Sequence, residues 1–218
     1  MEMGTKKIIV PTNLPSTLDS FQLELYDKAM ADQLTLEEKT TLLRLAREAL
    51  ETGVKGNPLP PIDEASLTPA LRAEGASFVT LTVHGSLRGC IGALEPYQPL
   101  VDDVREHAVA AALQDYRFHP VQPGELGKIE IEVSRLTIPV PLDYMDTADL
   151  LAKLHPGVDG VILRDGIRRA TFLPQVWEKI PDPSEFLENL CYKMGAAPDT
   201  WKKKKLQVLI YQVEEFHE

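Results

Sequence analysis

In the stretch HGSLRGCIGALEP, residues 84–96, Arg88 and Cys90 stand two apart among glycines in what otherwise reads as a strand. On an extended strand such a pair projects from one face. A guanidinium beside a thiol favours the thiolate, the reactive form of cysteine. Gly89 and Gly92 would let a substrate or another backbone come close. That is the composition of a nucleophilic site. The same residues also fit a packing role: free cysteine is among the most buried residue types, strand glycines often mark bulges, and Arg88 can pair with a carboxylate such as Glu132. Cys191 is the contrast, because it shares the helical spacing of Phe186, Leu187, Leu190 and Met194 and is expected in a core.

A second group lies in LQDYRFHP, residues 113–120, where Asp115, Arg117 and His119 gather at the end of a helical pattern. Residues at such a place can line a cleft. His119 suits a general base near neutral pH, with Asp115 orienting it or Arg117 binding an anion. The plainer alternative is a local Asp115–Arg117 salt bridge with His119 only preceding Pro120. HPGVDG, residues 155–160, offers His155 and Asp159 as another loop candidate, and His84 stands beside the first motif. The five histidines form no H-x-H or H-x-x-x-H pair, so no local metal signature exists and no cofactor is evident. The phosphate-binding loop, the dinucleotide fingerprint and the serine-hydrolase elbow are all absent from the sequence.

The elements that must position these residues follow from periodicity. TLEEKTTLLRLAREALETG has Thr35 and Glu38 spaced as a capping box, Leu42, Leu45, Ala46, Ala49 and Leu50 at helical intervals, and Gly53 as its end. A proline-rich loop and a short helix capped by Thr68 follow. SFVTLTVHGSLRGCIGAL alternates around His84-Gly85-Ser86 and reads as a hairpin whose second strand carries the motif. Leu100, Val104, Ala108, Ala111 and Ala112 share one helical face, and KIEIEVSRL alternates as a strand. A second hairpin is expected to turn at Asp165-Gly166, a helix to start at Asp182-Pro183, and LQVLIYQVEEF to close the chain as one buried strand. Hairpins mixed with crossovers predict an α+β fold with a mixed sheet in two lobes.

The chain has 218 residues, 33 acidic against 23 basic side chains and a formal charge of −10. That balance repels nucleic acid and anionic membrane. The one basic run, Lys202–Lys205, is expected to be a solvated turn. No stretch of about 18 apolar residues is present, so no membrane span is expected. The opening MEMGTKKIIVPTN has too short an apolar run for a signal peptide, which points to the cytoplasm. Two cysteines far apart fit a reducing compartment and cannot alone hold a four-iron cluster, which excludes a self-contained radical enzyme.

Taken together, LRGCIG (87–92), AAALQDYRFHP (110–120), IEIEVSRLTIP (129–139) and PGVDGVIL with ATFLPQVW and FLENLCYKMG further on resemble the AMMECR-one domain, called AmmeMemoRadiSam system protein A in bacteria and archaea. The resemblance covers about residues 34–216, leaving 1–33 as an N-terminal extension before a domain over 34–218. It implies an α+β fold with a mixed, barrel-like sheet, helices packed outside, and two subdomains around a cleft near the hexapeptide. It maps the family motif onto Leu87, Arg88, Gly89, Cys90, Ile91 and Gly92, then Asp115, Arg117 and Phe118, then Glu132. It also implies company with Memo-type and radical-SAM proteins, and so a pathway rather than a reaction. Two functions follow as expectations: an accessory protein whose cleft takes a small ligand or a partner, or an enzyme using Cys90 as a thiolate nucleophile.

Overall fold

The computed structural model describes residues 33–218. Residues 1–32, nearly all of the expected extension, lie outside the described part. The chain divides into two units, one within residues 1–137 plus 214–218, the other over 138–213.

The first unit opens with helix α1 (Leu36–Val54), started by the expected box: Thr35 Oγ1 accepts from the Glu38 N–H while Glu38 accepts from the Thr35 N–H. Its buried face is Leu42, Leu45, Ala46, Ala49 and Leu50. Thr68 caps the short helix α2 (Pro69–Arg72). Strands β1 (Glu74–Val83) and β2 (Ser86–Gly92) form the predicted hairpin. His84 and Gly85 both take positive φ, 51° and 75°, the signature of a two-residue turn that matches strand twist. Then come β3 (Gln98–Pro99), α3 (Leu100–Leu113), a 3-10 turn at Pro123–Lys128, β4 (Ile129–Leu136) and, from the chain end, β9 (Val213–His217). The sheet order is β2-β1-β4-β9, with β3 on the start of β1, so β2 is an edge.

Helix α3 lies tight on this sheet. A Cβ on Gly75 would stand 2.8 Å from Leu100, and one on Gly89 only 2.1 Å from the Ala111 carbonyl oxygen. Between these contacts sits a polar bolt: Ser77 Oγ donates to Asp103 Oδ2 at 2.6 Å, and His107 Nδ1 lies 3.2 Å from the same oxygen. All three residues are buried, where a carboxylate must have such donors.

The second unit holds β5 (Val140–Pro141), α4 (Thr147–Lys153), β6 (Gly160–Asp165), β7 (Arg168–Phe172), a 3-10 turn at Pro174–Glu178, α5 (Pro183–Lys193), α6 (Thr200–Lys203) and β8 (Gln207–Tyr211). Its sheet runs β5-β8-β6-β7. Trp177 stacks on Phe186 at 3.6 Å beside Leu187, Leu190 and Cys191. Cys191 is fully buried, and burial pushes its thiol up.

The class is α+β, as expected. Both sheets are open, no barrel closes among the described residues, and the pairings of defined register are antiparallel. Two local expectations shift. The second hairpin turns at Gly166-Ile167, one residue later than expected, because Asp165 still pairs with Arg168. LQVLIYQVEEF is two strands, not one: β8 ends at Tyr211 in one sheet and β9 starts at Val213 in the other. The lysine run is also less free than expected, because Lys202, Lys203 and Lys204 pair with Glu188, Asp199 and Asp165.

Candidate functional site

The motif strand β2 departs from regular alternation at one residue. Leu81 pairs with Gly89 and Thr82 with Leu87, so Arg88 is the extra residue of a bulge. A bulge re-aims the side chain it carries. Arg88 reaches away from the ladder to Glu125 in the 3-10 turn, donating Nε to Oε1 at 2.8 Å and Nη2 to Oε2 at 3.2 Å. This guanidinium, together with the Gln122 N–H, holds the Glu125 carboxyl below the usual carboxylate range. The partner is therefore Glu125 and not Glu132. Nη1 of Arg88 is buried and has no hydrogen-bond partner among the described residues.

Cys90 returns to the regular register opposite Thr80, and Thr80 is opposite Glu132 on β4. Thiol, hydroxyl and carboxylate thus form one row across three strands, on the face away from α3. Thr80 Oγ1 donates to Cys90 Sγ at 3.4 Å. The backbone of Cys90 points off the sheet edge, where a strand normally leaves unpaired groups. Here they are filled by side chains. The Cys90 N–H donates to Asp115 Oδ2 at 2.8 Å, and the Cys90 carbonyl accepts from Arg117 Nη2 at 3.3 Å.

Asp115 and Arg117 act as a clamp that substitutes for a neighbouring strand. Asp115 follows the end of α3 and closes an Asx turn, its Oδ1 accepting the Arg117 N–H at 3.1 Å. Arg117 then donates Nε to Oδ1 at 2.9 Å and Nη2 to Oδ2 at 2.6 Å, a bidentate pair. Asp115 is buried. The Arg117 guanidinium, with help from the Cys90 and Arg117 N–H groups, holds its carboxyl far below the ordinary range in spite of that burial. Such a carboxylate is a poor proton acceptor near neutral pH.

The glycines serve the protein's own backbone. Gly89 lets β2 lie against the Ala111 carbonyl, and a Cβ on Gly92 would stand 2.4 Å from the Phe78 ring.

Beside the clamp is an open cleft of about 580 Å³ lined by Arg88, Tyr116, Arg117, Phe118 and His119. Tyr116 is 94% exposed, and the Arg117 guanidinium lies 5.6 Å from the Phe118 ring centre. His119 is therefore at the cleft, whereas His84 occupies the hairpin turn. His155, in the second unit, sets Nδ1 3.0 Å from buried Asp159, which raises its pKa. No group of three His, Cys, Asp or Glu side chains among the described residues is placed to hold a metal ion. No described helix is long and apolar enough to cross a membrane.

Sequence reasoning missed Glu125, Thr80 and Tyr116. Thr80 was recoverable by counting back from the hairpin turn, had the bulge been known. Glu125 carries a weak signal, its capping-box spacing from Gln122. Tyr116 sits inside the quoted motif with nothing in its type to separate surface from core.

Comparison with known proteins places these features in a group. A family model described as AMMECR1 matches residues 43–216. A protein of Methanothermobacter thermautotrophicus is 40% identical over 190 residues, covering 85% of this chain and 96% of that protein. One from Methanopyrus kandleri is 39% identical, covering 87% and 92%. The crystal structure of an uncharacterized protein from Pyrococcus horikoshii superposes with a TM-score of 0.68 at 34% identity, covering 85% of this chain and 93% of that one.

Proposed function

The chain belongs to the AMMECR1 family, and from the geometry of its motif strand we propose that it is a binding protein whose cleft beside LRGCIG takes a small anion. The observation that carries this reading is that two guanidiniums, Arg88 and Arg117, line one cleft, each held by a carboxylate of its own. An arginine fixed in this way loses little side-chain freedom when it binds an oxyanion. Asp115, the carboxylate nearest the Cys90 backbone, is committed to the clamp, which favours binding over acid–base work. The proposed setting is a pathway shared with Memo-type and radical-SAM proteins, supported by the family resemblance alone.

Titration of the isotopically labelled full chain with sodium acetate tests the site. Amide shifts concentrated at residues 88–90 and 115–119 are expected. Shifts scattered elsewhere, with those residues silent, would overturn it.

The row Cys90–Thr80–Glu132 favours a second reading, thiolate chemistry at Cys90, with the Thr80 hydroxyl donating to its sulfur and the Glu132 carboxylate next in the row. Its test is the alkylation rate of Cys90 against pH in a Cys191→Ala background. A rate that tracks an ordinary thiol, about 8.5, and is unchanged by Glu132→Gln counts against it.

A further inference from the structure

Building on the reading of the cleft as an anion site, we infer that its ligand is a singly charged carboxylate borne on a flat ring. Arg117 spends Nε and Nη2 on Asp115 and on the Cys90 carbonyl, leaving Nη1 as its donor for a ligand. Arg88 spends Nε and Nη2 on Glu125 and has Nη1 buried without an acceptor. That nitrogen is closed to solvent, so Arg88 brings positive charge to the cleft while the hydrogen bond to a ligand falls to the half-exposed Arg117.

Charge sets how much negative charge the cleft rewards. Arg88 is matched by Glu125 and Arg117 by Asp115, so these four groups sum to no net charge. The chain as a whole carries −10. A polyphosphate or a dianion therefore meets no compensating excess of positive charge, whereas one carboxylate matches the one guanidinium edge left to it, Nη1 of Arg117.

The rest of the lining sets the body of the ligand. The volume, about 580 Å³, falls in the range of small-molecule sites and far exceeds an inorganic ion. Tyr116 and Phe118 flank Arg117 in sequence and line the same cleft, and Tyr116 leaves nearly its whole surface uncovered. Such side chains gain from a stacked or edge-on ring. The Arg117 guanidinium lies over the Phe118 ring, with Tyr116 lining the same cleft, so carboxylate and ring can be met together.

Calorimetric titration of the full chain at low salt with benzoate, cyclohexanecarboxylate, benzamide and phenyl phosphate tests this. Benzoate is expected to bind roughly five-fold more tightly than cyclohexanecarboxylate, the size of one aromatic contact. Benzamide is expected not to bind, and phenyl phosphate to bind no better than benzoate. Phe118→Leu should erase the preference for the aromatic ring while the variant stays folded by circular dichroism. Equal affinity for benzoate and cyclohexanecarboxylate would overturn the ring and leave the anion site standing. Tighter binding of phenyl phosphate would overturn the single charge. Benzamide binding as well as benzoate, or no binding by any of the four, would sink the anion site itself.

Discussion

Substitution of Gly89 by alanine separates two meanings of the glycines in LRGCIG. If Gly89 is there so that β2 can lie against α3, its new Cβ stands 2.1 Å from the Ala111 carbonyl oxygen and 3.0 Å from the carbonyl carbon. Both are backbone atoms that no rotamer change can remove. Strand and helix must separate by about 1 Å to restore ordinary contact. Overpacking of this kind costs about 1–3 kcal/mol, offset by about 0.4–1 kcal/mol from the stiffer unfolded chain. A net loss of about 1 kcal/mol corresponds to a melting temperature lower by roughly 2–4 °C. The same displacement pulls the Cys90 N–H away from Asp115, so Cys90 should also alkylate faster in a Cys191→Ala background. Gly124→Ala is the control, because nothing lies within 4 Å of its Cβ. A Gly89→Ala protein that matches the Gly124→Ala control in both urea unfolding and alkylation would refute the packing role and return Gly89 to the ligand.

Three further outcomes follow from the described contacts. The Asp115 carboxyl has a depressed folded pKa, so its contribution is complete above the unfolded value near 4 and is lost as pH falls through the folded one. The urea midpoint of wild type should therefore exceed that of Asp115→Ala by a constant margin from pH 7 to about 5 and converge in strong acid; a margin that grows in acid would contradict the clamp. His155 has a raised folded pKa, caused first by its hydrogen bond to Asp159, so its contribution is complete below about 6.5 and fades as pH rises past the folded value. Wild type should lose its advantage over His155→Gln between pH 6 and pH 9, and an imidazole titrating at or below 6.5 by NMR would contradict the pairing. In the bolt under α3, Asp103→Ala strands the Ser77 hydroxyl and His107 Nδ1 and should cost about 1–3 kcal/mol for each group stranded. Ser77→Ala should cost less, about 0.5–1.5 kcal/mol, and the reverse order in urea unfolding would contradict Asp103 as the centre of the bolt.

Much of the scaffold was readable because its signals are local. Thr35 with Glu38, Asp182 with Pro183, and His84 with Gly85 each set a boundary within a few residues. The break between β8 and β9 carries no such mark. Tyr211 and Val213 are both apolar, and the strand changes sheets at Gln212 without a glycine or proline.

At the site, the Asp115–Arg117 pair was legible from its i, i+2 spacing, but its target was not. The Cys90 backbone is 25 residues away and becomes an acceptor and donor only because β2 is an edge. Period-two counting put Arg88 beside the thiol, and the bulge moved it to Glu125, 37 residues on. Side-chain periodicity cannot reveal a bulge when the residue after it is glycine, since glycine shows no preference for either face.

The most direct measurement compares benzoate affinity in Cys90→Ser and Arg117→Gln with that of wild type, each variant first shown to be folded. If the cleft works through its guanidiniums, Cys90→Ser binds within about two-fold of wild type and Arg117→Gln weakens binding by roughly ten-fold or more, as expected for a charged hydrogen bond. Loss of binding in Cys90→Ser with Arg117→Gln unaffected would contradict the anion cleft and put the thiol at the centre of the site.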